Sequence, residues 1–88
     1  MRKYEDLFLA YWSAQAREIR VKKHLTQAKM AEALYMSARC YQKIEHGIHP
    51  PCSTTLALFL NQLPDQEILS FIRTFAQMVE KANSQEVA

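Results

Sequence analysis

Gly47 is the only glycine in this chain, and Pro50, Pro51 and Pro64 are its only prolines. Tight β-hairpins depend on residues that accept positive φ, glycine first among them. A chain with one glycine reverses direction rarely, so its turns must separate helices. The apolar residues agree: they recur at spacings of three and four, and no segment alternates over a strand's length. Of the 88 residues, 49% are apolar, enough for one compact core at this length. The expectation is an all-α, five-helix compact single domain over residues 1–88.

The helix boundaries follow from caps and stops. A first helix is expected over about 4–22, with Leu7, Phe8, Tyr11, Ala14, Ile19 and Val21 on a broad apolar face. Its basic end, "RVKKH", complements the negative pole of the helix dipole. Thr26 can cap a second helix, with Ala28, Met30, Ala31 and Leu34 inward and Gln27, Lys29 and Glu32 outward. Ser37 can cap a third, with Cys40, Tyr41 and Ile44 inward and Ala38, Arg39, Gln42, Lys43 and His46 largely outward. Gly47 ends it. A loop fixed by Pro50 and Pro51 leads to a fourth helix over about 53–62, carrying Leu56, Phe59 and Leu60, with Leu63 beyond. Pro64 stops that helix. Asp65 is expected to cap a fifth over 65–82, with Ile68, Phe71, Ile72, Phe75, Met78 and Val79 on a wide apolar face, before a frayed tail "NSQEVA".

The net charge is +2, but it is unevenly placed. Residues 1–49 hold nine Lys/Arg against five Asp/Glu, and residues 50–88 hold two against four. The basic first half points to an anionic partner. The opening "MRKYEDLFLAYWSAQA" has some look of a secretory leader. Glu5 and Asp6 interrupt its basic region, however, and the apolar run is short. With no run of membrane-spanning length, a cytoplasmic protein is expected, and its two cysteines are expected to be reduced thiols.

His24, Cys40, His46, His49 and Cys52 are zinc-ligand types, but their spacing fits no zinc pattern, so no metal site is expected. Cys40 reads instead as a small buried hydrophobe. The chain has no glycine-rich phosphate loop, no nucleophile paired with a base and no paired carboxylates, so neither an enzyme nor a cofactor is expected.

The second and third helices, with the short break "YMS" between them, span Gln27 to His46, the length of a helix-turn-helix unit. Ala31 provides the small side chain needed where the two helices meet. Leu34, Met36, Tyr41 and Ile44 face the core, and the outer face of the third helix is free for a major groove.

The stretch "LTQAKMAEALYMSARCYQKIEHG" resembles the DNA-binding domain of the phage repressor and Cro family, also called the XRE family. The similarity rests on "LTQ", the alanine of "MAEAL", the "IEHG" ending and the later "PCSTTL", and it covers residues 16–63. It implies a lambda-repressor-like fold with a helix-turn-helix at 27–46, and leaves residues 65–82 as a C-terminal helix for packing or dimerisation. It implies that Ala38, Arg39, Gln42 and Lys43 face base edges or nearby phosphates. It also implies that Gln27 binds a phosphate and braces a base-reading side chain, and that Ser37 makes a contact at the helix start. Arg20 would pair with Glu45 as a structural link. Residue chemistry adds Lys22, Lys23, Lys29 and His49 as candidate phosphate contacts.

The chain departs from the family pattern at three places. Tyr35 stands where the turn usually has glycine, so the same turn requires a left-handed tyrosine, at about 1–2 kcal/mol. His24 stands at another frequent glycine, and Tyr41 replaces a β-branched residue.

The resemblance implies a transcriptional regulator, a repressor, that binds double-stranded DNA as a homodimer. A second reading is an antitoxin-like or other protein-interaction module that meets a partner such as a toxin through its apolar terminal helices. A third is a helix-turn-helix scaffold without DNA binding. The aromatic faces of the first and fifth helices fit either packing within the monomer or a dimer interface, with some exposure expected at Trp12.

Overall fold

A computed structural model describes the backbone of residues 4–87. Five helices follow in order: α1 (Glu5–Lys22), α2 (Gln27–Ala33), α3 (Ala38–Glu45), α4 (Ser53–Asn61) and α5 (Asp65–Val87). Among the described residues there is no strand, and no helix is long and apolar enough to cross a membrane.

The first three helices end in the same way. At each C-terminus one residue takes positive φ: His24 (60°), Tyr35 (58°) and Gly47 (73°). The amide of that residue and the amide after it then bond back into the last turn. His24 N donates to Val21 O and Leu25 N to Arg20 O; Tyr35 N donates to Glu32 O and Met36 N to Ala31 O; Gly47 N donates to Ile44 O and Ile48 N to Lys43 O. These are Schellman motifs, which satisfy carbonyls the helix end would otherwise leave open. Only one of the three uses glycine. At the other two, burial offsets the cost of the left-handed side chain, about 1–2 kcal/mol each. Leu34 is buried before Tyr35, and Leu25 and Met36, the residues after the two turns, pack against the core. After His24 and Tyr35 the N-cap of the next helix lies only two residues on. Thr26 Oγ1 accepts from Lys29 N, and Ser37 Oγ accepts from Cys40 N.

The core is aromatic and centred on α1. Trp12, Tyr41 and Phe59 are fully buried, with Met30, Ala31 and Leu34 beside them. Trp12 meets Phe59 edge-on at 4.7 Å, and Phe8 meets Phe75 edge-on at 5.0 Å. The Tyr11 hydroxyl donates to Phe71 O at 2.7 Å, which fixes α5 along α1. The aromatic faces of the first and fifth helices therefore pack on each other within one chain.

The structure corrects several expectations. Trp12 has no exposure; the Phe8 ring lies nearly parallel to it at 6.5 Å and Phe59 meets it edge-on. Its Nε1 is buried without a hydrogen-bond partner among the described residues. Cys40 is exposed; the buried residues of α3 are Tyr41, Ile44 and Glu45. Ala14, Val21, Ala28 and Ile72 also face outward. Asp65 is not a cap but the first residue of α5: Ile68 N already donates to Pro64 O, so the helical ladder begins at the proline. That helix does not fray at Ala82. It runs to Val87, and the Tyr4 hydroxyl holds Asn83 at 3.3 Å.

Candidate nucleic-acid interface

The site begins with a buried carboxylate. Glu45, in the last turn of α3, is 3% exposed, and residues of two other helices converge on it. Arg20 of α1 donates through Nε to Oε2 and through Nη2 to Oε1, the latter at 3.1 Å. Gln27, the first residue of α2, donates through Nε2 to Oε1 at 3.1 Å. Ser13 and Arg17 of α1 donate to the Glu45 carbonyl at 2.8 and 3.3 Å. Burial by itself would push the Glu45 carboxyl up, but hydrogen bonds from Arg20 and Gln27 hold it below the usual carboxylate range. Tyr41 is pushed the other way, by burial first and then by the adjacent carboxylate. Its hydroxyl donates to Ala16 O at 3.3 Å. One side chain thus fixes α3 against both α1 and α2.

The opposite face of α3 is open. Arg39, Gln42, Lys43 and His46 are exposed, and Ala38 is half-buried at the edge of that face. Among the described residues, no hydrogen bond or ion pair engages the side chains of Arg39, Gln42 or Lys43. The guanidinium, amide and ammonium are therefore free to bind a ligand. Tyr35 stands beside this face at the turn, 84% exposed.

The remaining sequence candidates divide. Ser37 is the N-cap of α3, its hydroxyl oxygen already accepting from the backbone. Gln27 is bound to Glu45, so in the free protein its amide braces the end of α3 rather than a base-reading side chain. Lys29 is exposed and lies 3.7 Å from Glu32 on its own helix. His49 lies in the loop after α3 and shares a shallow pocket of about 240 Å³ with Met36, Cys40 and Cys52. Lys22 and Lys23 are drawn away from α3. Lys22 pairs with Glu67 of α5 at 3.3 Å, and Lys23 donates to Gln62 O at the end of α4 at 2.9 Å.

Arg17 is a member of the cluster that was not expected from the sequence. It sits one turn before Arg20 on the same helix face, and its side chain is 60% exposed while still touching Glu45. That spacing of three was the available signal. The Cys52 thiol, at the N-cap of α4, is lowered by its hydrogen bond with Thr55.

In comparisons with known proteins, the chain matches no family model, no curated protein and no solved structure.

Proposed function

We propose that this protein is a sequence-specific double-stranded DNA-binding transcriptional regulator, a repressor of the phage repressor and Cro type, acting as a homodimer. The observation that carries the reading is the clamp on Glu45, which fixes α3 from behind and leaves Arg39, Gln42 and Lys43 unpaired in front. An eight-residue helix is about 12 Å long and fits a B-DNA major groove about 12 Å wide. Arg39 has the fork geometry for guanine O6 and N7, and Gln42 has the donor–acceptor pair for adenine N6 and N7. Lys43 serves a base or a phosphate, and Ala38 offers a methyl contact. Lys29, His49 and the Ser37 end of α3 supply contacts to the DNA backbone. Repression follows from occupying a promoter and excluding polymerase.

The test is selection from random duplexes, followed by titration of the selected sequence against salt. Enrichment of one motif and a steep loss of affinity with salt are expected. No retention on any duplex at low salt would overturn the reading.

A second reading, a protein-interaction module such as an antitoxin, draws on a separate observation: Leu69 and Ile72 of α5 are half exposed. A co-purifying partner protein that stays bound at high salt would favour it.

A further inference from the structure

Cys40 and Cys52 are the two cysteines of the chain, twelve positions apart in sequence. The loop after α3 brings the chain back so that both line one shallow pocket of about 240 Å³. Both are free thiols and both are exposed. The rest of the lining is apolar apart from His49 and Thr55, and no carboxylate faces the pocket. Two accessible sulfurs therefore share one small space with no anion to oppose a thiolate.

The two thiols are not equivalent. Cys52 is the N-cap of α4, and its Sγ lies 3.3 Å from Thr55 Oγ1. A hydroxyl at that distance and the positive pole of the helix both favour a thiolate at this place. Cys40 lies in the first turn of α3, beside Arg39, on the rim of the same pocket. An accessible, thiolate-prone cysteine with a second thiol close by is the arrangement that suits peroxide chemistry. The first sulfur is oxidised, and the second displaces the oxygen from it before oxidation goes further.

We propose that Cys52 and Cys40 form a peroxide-reactive pair, in which Cys52 is oxidised first and Cys40 resolves it to an intramolecular disulfide across the pocket. In the first step the Cys52 thiolate attacks one oxygen of hydrogen peroxide. The O–O bond breaks, the sulfur becomes a sulfenic acid, and the other oxygen leaves with the thiol proton as water. In the second step the Cys40 thiolate attacks the Cys52 sulfur. The S–S bond forms, the S–O bond breaks, and hydroxide leaves with the Cys40 proton as a second water. Two thiols are oxidised by two electrons in all, and one peroxide is reduced. The bond needs the two Cβ atoms within about 4.5 Å. His46, Ile48, His49 and Pro50 are exposed, so the loop can draw Cys52 in without disturbing the core. The cross-link ties the first turn of α3, the helix of Arg39, Gln42 and Lys43, to the start of α4. It does not depend on the proposed function.

The test is mass spectrometry of the reduced full chain, treated in dilute solution with hydrogen peroxide and with free cysteine present as a reference thiol. The protein should become a monomer lighter by two hydrogens, and dithiothreitol should reverse the change. Trypsin cuts after Arg39 and Lys43 and next after Arg73, so the bond should appear as fragment 40–43 joined to fragment 44–73. Cys40→Ser should lose the cross-link and leave a sulfenic acid at Cys52, trapped by the cyclic diketone dimedone. Cys52→Ser should lose the cross-link and leave Cys40 a free thiol over the same exposure. Both positions are at the surface, and circular dichroism confirms that each variant keeps its helices. Two thiols still free when the reference cysteine is oxidised would overturn the proposal. So would disulfides formed between chains alone, or a sulfenic acid trapped on Cys40 while Cys52 stays reduced. Duplex binding by the reduced chain is measured separately, and its absence overturns the proposed function without touching the thiol pair.

Discussion

Arg20 grips Glu45 with two nitrogens, one to each carboxylate oxygen, and so fastens the end of α1 to the end of α3. The carboxylate is almost fully enclosed, while the guanidinium keeps 18% of its side-chain surface in solvent. In such a pair the penalty for losing the cation falls on the buried anion.

Arg20→Ala is therefore expected to destabilise the fold by about 3 kcal/mol, the low end for breaking a buried pair, because Gln27 and Arg17 still reach Glu45. Urea unfolding checks the value. Arg20→Lys should recover only part of it, since an ammonium cannot make the two-point contact.

Glu45 also sets an acid limit. Its folded-state pKa lies below the ordinary 4.5, so the stability it contributes is fully present above that value. It is lost as pH falls through the depressed folded value. Glu45→Gln should be less stable at neutral pH and should lose less stability than the unaltered protein on descending from pH 5 to pH 3. Thermal melts across that range provide the comparison.

Tyr35→Gly should stabilise the protein by up to about 1 kcal/mol. Relief of the left-handed backbone exceeds the added entropy of glycine in the unfolded chain, and the 84%-exposed ring forfeits little packing. Tyr35→Val should destabilise it, because a β-branched residue suits positive φ worse still. Paired denaturant titrations decide both signs.

On a selected duplex, Arg39→Ala should relax preference at one base pair, at about 1–3 kcal/mol of discrimination. Lys29→Ala should weaken every sequence alike and flatten the salt slope. Competition binding with single-base variants of the duplex tells them apart, and equal uniform weakening would remove the base-reading role of Arg39.

Both thiols should titrate promptly with a thiol reagent in the folded protein, because Cys40 and Cys52 are exposed. Cys52 should react first at neutral pH, as its hydrogen bond to Thr55 favours the thiolate. A protected Cys40 would contradict the orientation of α3.

Much of the helical layout was legible from local chemistry. Thr26 and Ser37 announce helix starts through their own hydroxyls, Gly47 announces an end, and Pro64 marks the passage into α5. These signals act within a few residues, so the order of residues suffices. The Arg20–Glu45 link was anticipated through resemblance and is present. Cys40 and Trp12 were misjudged because periodicity gives the direction of a side chain and not what stands there to meet it.

The sequence by itself determined that the chain is all-helical, where its capped helices begin, and that α3 has two unlike faces. The tertiary structure alone decided the rest. It decided that Tyr35 and His24 turn the chain without glycine, because burial of Leu34 and packing of Met36 and Leu25 against the core outweigh the local strain. It decided that Lys22 and Lys23 are spent on α5 and α4, that Arg17 joins the Glu45 cluster, and that Leu69 and Ile72 stay outside. Local preference is worth about a kilocalorie per residue. Which residues meet across tens of positions is set by the shared core, and one order of residues does not display it.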